Sequence, residues 1–575
     1  MTSPAAAQAP EVPSAAELFT PKLVTTLREG YRLRDLRADL VAGLTVAIVA
    51  LPLSMAIAIA SGVTPERGLY TAAVGGFLIS ALGGSRFQIG GPAAAFTVLV
   101  AGCVARNGLD GLLLATLMAG VFLLLIGALR LGSYIKFIPY PVTVGFISGI
   151  AVILLVGQVG DLFGLTLASN PADILPKLEA LGVAIGSTNP AALAVSAATI
   201  AIIVGLRRWR PHWPGILIAV VLGGVAVWLL HLSVTTIGSK FGGIPSLLPS
   251  PSLPAISLAK MQAVLPDAIS FALLGAIESL LSAMVADGMT GRRHRSNMEL
   301  VAQGIANMAA ALFGGIPATG TVARTATNVR SGGRSPISGM AHAVFIVLFM
   351  LVAAPLASFI PLAGLAGVLV VVAWNMAERH AFLTLLRSSR GDAVVLLATF
   401  LLTVFVGLTE AIVVGFALGS LFFIHRMAST AAVEAHVPQI EEDRADEAGR
   451  PPYDATLAAD PDIAVYRISG AFFFGAAATV GRVLESIADR HKAFVIDVSA
   501  VPFMDATAAN VLEGVVRKAE RAQVKVLVSG ASTALAATLA AHGLASPRVA
   551  YFGSLEDAVA GARSALRPAL VGSGT

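Results

Sequence analysis

Charge is scarce in this chain. Asp, Glu, Lys and Arg make up 13% of its 575 residues, against 56% hydrophobic residues, whereas a water-soluble domain carries about 25% charge. That excludes a chain folded only in water and points to a lipid bilayer. Cysteine is nearly absent too. Cys103 is the only one, so neither an intrachain disulfide nor a Cys-based metal site can form, and within its apolar run it reads as a small core residue. No basic face or motif of a nucleic-acid reader is present, and a net charge of +5 is what basic loops on one side of a membrane produce. The sequence also lacks a phosphate-cradling Gly-rich loop, a His-Glu-x-x-His helix and a Ser-centred nucleophile elbow. The expectation is a protein that is not an enzyme, binds no metal, cofactor or nucleic acid, and draws its energy from gradients, since no ATPase domain is visible.

What is present is apolar sequence in blocks. The first spans 39–60, and others follow at 68–82, 91–105, 110–130, 139–165, 190–206, 213–231, 264–287, 298–313, 319–330, 336–358, 361–376, 390–407 and 409–427. That makes fourteen segments, several too short to cross alone. The first twenty residues lack the basic start and apolar core of a signal peptide and read as a disordered cytoplasmic tail. Arg28, Arg32, Arg34 and Arg37 place the N-terminus inside. Counted from there, Arg86, Arg130 with Lys136, Arg207 with Arg208 and Arg210, Arg292 with Arg293 and Arg295, Arg330 with Arg334, Arg379 with Arg387 and Arg390, and Arg426 all fall on one side. The loops 166–189 and 232–263, on the other side, are nearly bare of Arg.

The chain therefore divides into a tail (1–38), a membrane transport domain (39–427), a charged linker (428–460) holding Glu441, Glu442, Asp443, Arg444, Asp446 and Glu447, a soluble domain (461–565) and a short tail (566–575). In the soluble domain 465–468, 494–498 and 524–528 read as strands and 508–522 as a helix, a small α/β fold. An even number of crossings returns it to the cytoplasmic side of the cell's inner membrane.

Segments three and ten carry the chemistry. Each is short, and each is introduced by Gly-Gly and Pro: Gly90-Gly91-Pro92-Ala93 and Gly314-Gly315-Ile316-Pro317. A helix of about 12 residues rises only about 18 Å, so the residues before it must cross as extended backbone, which is tolerated only when buried in protein or lining a cavity. If segments one to seven and eight to fourteen form a 7+7 inverted repeat, segment ten is the counterpart of segment three, and two half-helix N-termini converge at the midplane as a site for an anion. Ala93, Ala94, Ala95, Gly320 and Thr321 let a substrate approach the backbone, and Arg324 adds a full charge. The alternatives are ordinary kinks for the Gly-Pro pairs and, for Arg324, snorkelling to the membrane edge or pairing with a carboxylate. Glu278 lies in the middle of segment eight, where a carboxyl can carry a proton, with Ser282 one turn on along the same face. The competing reading is a permanently ion-paired carboxylate. Asp287 reads as structural, Pro52 as a kink or as the source of a freed carbonyl facing the cavity, and Glu410 as a turn residue at the membrane surface.

Gly68-Leu69-Tyr70-Thr71-Ala72-Ala73-Val74-Gly75-Gly76, followed by Gly83-Gly84-Ser85-Arg86 and Gly91-Pro92, closely resembles the signature of the sulfate permease (SulP) anion transporters. That resemblance implies a 7+7 inverted-repeat membrane domain followed by a cytoplasmic STAS domain, and usually a dimer. It places the anion between the starts of segments three and ten, at Pro92, Ala93, Gly320 and Thr321, and coupling at Glu278. Some relatives that use sodium carry Asp at this position. Glu here favours protons, while Ser282 and Thr321 leave sodium open. Val501-Pro502-Phe503-Met504-Asp505-Ala506-Thr507-Ala508 is similar to the phosphorylated Asp-Ser-Ser-Gly turn of STAS anti-sigma antagonists, with Thr507 at the phosphosite and Ala506 and Ala508 departing from the pattern. Residues 59–63 leading into 68–70 are similar to the subgroup that includes bacterial C4-dicarboxylate transporters. The reading is a secondary active anion transporter, with sulfate, bicarbonate or a C4-dicarboxylate as cargo. A passive anion channel and an anion sensor with the STAS domain as output are the alternatives.

Overall fold

The structure is a computed structural model that describes residues 15–133, 139–169, 171, 173–210, 213–428, 432–435, 462–473 and 491–566. It separates into two compact units, Met1–Ala417 and Leu418–Thr575.

All fourteen expected segments are present. Segment one is Leu33–Ala60, and segment two is Pro65–Tyr70, Thr71–Gly75 and Gly76–Leu82 in succession. Segments three and four share the helical stretch Thr97–Ala128, broken at Gly108, whose φ of 66° and ψ of −171° lie outside any helix. Segments five to seven are Tyr140–Phe163, Pro190–Trp209 and Gly215–Leu229. Segments eight to eleven are Leu258–Thr290, Ser296–Leu312, Val322–Arg330 and Ile337–Ala357, and twelve to fourteen are Leu362–Met376, Arg390–Phe405 and Leu408–Ala428. Among the described residues, eight helices are long and apolar enough to cross a membrane.

Segments pack through small residues, since apolar side chains gain little by leaving lipid for one another. A Cβ on Gly120 would fall 2.7 Å from the Gly304 carbonyl oxygen, and one on Gly304 would fall 2.6 Å from that of Gly120, so segments four and nine touch backbone to backbone. Segments one and eleven do the same where Gly43 meets the Ser338 carbonyl.

Two stretches expected to be irregular are helical. In the expected tail, Ala15–Phe19 and Lys22–Arg28 form short helices. They are fastened to the loops that follow segments two and eight by Lys22 N–H donating to the Gly83 carbonyl at 2.9 Å and by Arg295 Nη1 donating to the Thr20 carbonyl at 2.8 Å and Thr25 Oγ1 at 2.9 Å. Residues 1–14 lie outside the described set. The Arg-poor loop 166–189 contains the helix Ile174–Ala184, which buries Ile174 and Leu181, two turns apart on one face.

The second unit is a five-stranded sheet in the order β3 (Ala432–Ala435), β4 (Ile463–Ser469), β5 (Ala493–Ala500), β6 (Lys525–Ser529) and β7 (Ala550–Phe552). β3 runs antiparallel to β4, and the remaining neighbours are parallel. β5 is buried on both faces along six residues, as a central parallel strand must be. Helix Ala506–Arg521 lays Leu512, Val515 and Val516 against Phe472, Phe494 and Ile496. β3 falls inside the expected linker, whose acidic run from Glu441 to Glu447 lies outside the described residues.

Candidate functional site

The two Gly-Pro stretches meet. Gly90–Pro92 (β1) and Ala318–Gly320 (β2) form a buried antiparallel ribbon, with Gly90 opposite Gly320, Gly91 opposite Thr319 and Pro92 opposite Ala318. Pairing satisfies the peptide groups that extended backbone would otherwise leave bare in the membrane. Side chains pin it from several elements. Asn307 on segment nine accepts from Ala318 N–H at 2.9 Å and donates to its carbonyl at 2.8 Å. Thr71 Oγ1 accepts from Ile316 N–H at 2.7 Å, Thr319 Oγ1 donates to the Gly275 carbonyl at 3.0 Å, and Ile89 N–H donates to Thr325 Oγ1 at 3.2 Å. A short turn, Ala94–Phe96, leads from β1 into the helix from Thr97, and Thr321 leads from β2 into segment ten. Neither start is capped by a side chain, so both present free N–H groups and the positive end of a dipole.

Arg324, one turn into segment ten, is 2% exposed. Its Nη1 donates to the Gly90 carbonyl at 3.0 Å, and its Nη2 donates to Ser54 Oγ at 3.0 Å and the Pro92 carbonyl at 3.3 Å. Its Nε has no partner, and no carboxylate among the described residues pairs with it. Snorkelling and carboxylate pairing are thus both replaced by a third arrangement, in which the guanidinium clamps the ribbon to segment one and keeps its charge unneutralised. Gly91 makes this possible. With φ at +152°, a Cβ there would lie 1.7 Å from Arg324 Nη1. Gly320 is equally tight, because a Cβ would fall 1.5 Å from Gln88 Nε2.

Pro92, Ala93 and Ala94 are buried along the β1 side of the ribbon, and Gly320 and Thr321 along the β2 side. Thr321 Oγ1 lies 3.5 Å from the Ile89 carbonyl. On segment eight, Ser282 Oγ donates to Thr325 Oγ1 at 2.9 Å, tying that segment to the same anchor that holds Ile89. Glu278 is half-buried and makes no hydrogen bond or ion pair with any described residue, so a permanent ion pair between helices is not its role here. The next residue, Ser279, faces another way. Its Oγ accepts from Gln88 Nε2 at 2.7 Å and Gln303 Nε2 at 2.8 Å, and through Gln303 it joins the buried Glu299, which accepts from Gly84 and Ser85 N–H at 2.8 and 3.0 Å. Asp287 accepts from His294 N–H at 3.1 Å and pairs with its Nδ1 at 2.7 Å, closing the turn after segment eight. Pro52 lines an apolar cavity of about 660 Å³ with Leu51, Val220, Trp228 and Phe349, away from the polar contacts of the ribbon. In the second unit Thr507 is exposed in the first turn of helix Ala506–Arg521, beside Asp505, whose side chain accepts from Ala508 N–H at 2.8 Å.

Sequence reasoning missed Ser54, Gln88, Glu299, Gln303, Asn307 and Thr325. The signal existed for three of them: Glu299, Gln303 and Asn307 recur every four residues on an otherwise apolar helix, a polar stripe that must face protein and not lipid.

A helical membrane protein that gathers two uncapped half-helix starts around an unneutralised arginine is a transporter fold with an anion-favouring centre. Residues 36–399 match the sulfate permease family and residues 454–558 the STAS domain; the chain belongs to the sulfate permease family, whose members are transporters and not enzymes. It is 41% identical over 507 residues to YvdB of Bacillus subtilis, a protein named provisionally as a sulfate transporter, covering 87% of this chain and 93% of that one. It is 31% identical over 511 residues to the bicarbonate transporter BicA of a Picosynechococcus strain, covering 87% and 89%. Among solved structures, the transmembrane domain of a cyanobacterial BicA superposes with a TM-score of 0.60 at 32% identity, covering 68% of this chain and 98% of that one. The structure of SLC26A9 superposes with a TM-score of 0.82 at 17% identity, covering 95% and 92%, a likeness of fold.

Proposed function

We propose that the protein accumulates an inorganic anion, sulfate or bicarbonate, or a C4-dicarboxylate, across the cell membrane by alternating access, with a proton as the coupling ion and both termini cytoplasmic, as a homodimer. The observation that carries the anion reading is Arg324, which holds a full charge at the ribbon with carbonyls and a hydroxyl as its only partners among the described residues. Removing a charge from water is costly unless a counter-charge joins it, and an anion at the two helix starts supplies one. Sulfate and bicarbonate enter as candidates through the names of YvdB and BicA.

Glu278 carries the coupling. It is a carboxyl with no fixed partner on segment eight, whose Ser282 is bonded to the anchor of β1, so its charge state bears on the segment beside the anion. Among these groups Glu278 is the one whose charge changes when a proton arrives, which supports a proton as the coupling ion, while the Ser282 and Thr321 hydroxyls donate within the fold and keep oxygen lone pairs that a sodium ion could use. The test is uptake of sulfate, bicarbonate and succinate into proteoliposomes under imposed proton or sodium gradients. Accumulation above equilibrium with a proton gradient alone is the expected result. Equilibration without accumulation would make the protein a channel, and a requirement for sodium would overturn the proton reading.

A further inference from the structure

A polar cavity of about 480 Å³ lies on the face that carries the N-terminal helices. Three arginines from three separate loops reach it: Arg86 ahead of β1, Arg292 after segment eight and Arg334 after segment ten. Residues 26–35 close its other side and bring two acids. Glu29 pairs with Arg86, and Asp35 pairs with Arg334 at 2.7 Å. Arg86 is only 9% exposed, so its charge is largely withdrawn from water. Arg292 forms no side-chain hydrogen bond or ion pair with any described residue.

The field is positive on the Lys22 and Arg295 side of the cavity and negative at Tyr31, whose hydroxyl donates to the buried Asp39 at 2.7 Å beside Asp35. Burial, and after it the charges of Arg295 and Arg86, push the Lys22 ammonium below its ordinary range. Burial and then Arg86 do the same to Arg295. In the opposite sense, the hydrogen bond from Arg86, with the Arg86, Arg292 and Lys22 charges behind it, holds the Glu29 carboxyl below its usual range. Four cationic groups, Lys22, Arg86, Arg292 and Arg295, thus act on one half-exposed carboxylate carried by a short connection.

We propose that this cavity is a second anion site, built for a soluble multivalent oxyanion with inorganic phosphate as its type, and that Glu29 holds on Arg86 the place of one oxygen of that ligand. A guanidinium fork accepts a carboxylate and a tetrahedral oxyanion in the same geometry, and a multivalent ligand can engage Arg292 as well, which the Glu29 carboxylate leaves without a bond. The cavity wall includes Phe87, whose carbonyl accepts from Asn328 Nδ2 at 2.8 Å, and Val329 in the last turn of segment ten. A ligand there borders the inner end of the ribbon and, on the transport reading above, would let internal anion act on the carrier.

The test is equilibrium binding of radiolabelled inorganic phosphate to the full-length protein in neutral detergent without acidic lipid. Glu29→Gln is expected to tighten binding several-fold and Arg292→Gln to weaken it several-fold, both effects shrinking as salt rises. Neither residue contacts the ribbon, so both variants should fold. Arg324→Ala is expected to weaken sulfate binding by roughly 100-fold and leave the phosphate response to Glu29→Gln in place. Phosphate binding that ignores both cavity variants would overturn the proposal and assign the bound ion to the transport site. Phosphate inert in detergent, with a response appearing only in nanodiscs containing phosphatidylglycerol, would overturn the soluble ligand in favour of lipid headgroups. Loss of sulfate binding in Arg324→Ala with the cavity response intact would support two separate sites, because they share no residue.

Discussion

Two buried charges, one in each unit, are handled in opposite ways. In the soluble unit Asp497 lies in the central strand, 2% exposed, and is answered by Arg467 Nε at 2.7 Å and Ser499 N–H at 3.0 Å. In the membrane unit Arg324 is just as deeply buried, and among the described residues no acid pairs with it and none bonds Glu278. A paired charge fixes a strand and then does nothing further. An unpaired one keeps the field that recruits a ligand, and its cost is tolerable only where a ligand or proton arrives to share it. The contrast separates structural from functional charge within one chain.

The largest expected effect breaks the unpaired side of that comparison. Glu278→Gln should abolish proton-driven accumulation in proteoliposomes while anion binding to the purified protein largely survives. Unchanged uptake under a pH gradient would remove Glu278 from the coupling step. Next, Arg324→Ala should weaken anion affinity by roughly 100-fold, the equivalent of about 2–3 kcal/mol for hydrogen bonds to a charged group. An unaltered dissociation constant would put the guanidinium outside the pocket. Gly91→Ala should lose much of the same affinity without touching any charge, because the added methyl occupies the place of Arg324 Nη1.

On the paired side, Arg467→Ala should destabilise the soluble unit by about 1–3 kcal/mol, read as a lower unfolding midpoint, and leave anion binding alone. Burial pushes the Asp497 carboxyl up, but the Arg467 hydrogen bond, Ser499 and the Arg467 charge outweigh it and hold the group below its ordinary value of 3.8. Its contribution is therefore fully present above that value and is lost as pH falls through the lower folded-state value, so stability should fall less steeply with acid in Arg467→Ala than in the parent chain. The smallest effect is expected from Thr507→Ala. The residue is exposed, and the helix cap is made by Asp505, so stability should stay within about 0.5 kcal/mol. A change in uptake with stability unmoved would show that Thr507 is a regulatory contact.

Much of the membrane unit was legible because apolar length and the sidedness of Arg are one-dimensional signals. The meeting of the Gly-Pro stretches was legible as well, since two short segments at matching positions in an inverted repeat have few places to go. The hydrogen-bonded ribbon itself was not, because strand pairing between residues 90 and 320 depends on a register that no local pattern encodes. Nor was the fate of Arg324. Its sequence position allowed three environments, and only the placement of Ser54 and of the carbonyls of Gly90 and Pro92 selected one. The helix at 15–19 was misread as disordered because so short a stretch has no helical stability of its own; contacts of residues 20–25 with Gly83 and Arg295 hold that end of the chain in place.

By itself the sequence determined where lipid must be, which face is basic, that a small α/β domain follows, and that two half-helices exist. Those follow from composition, period and length, which act locally along the chain. Only tertiary structure decided which charges are neutralised and which stay exposed to a ligand. Pairing depends on distances of a few ångströms between residues hundreds of positions apart, and electrostatic energy in a dry interior changes steeply over that range.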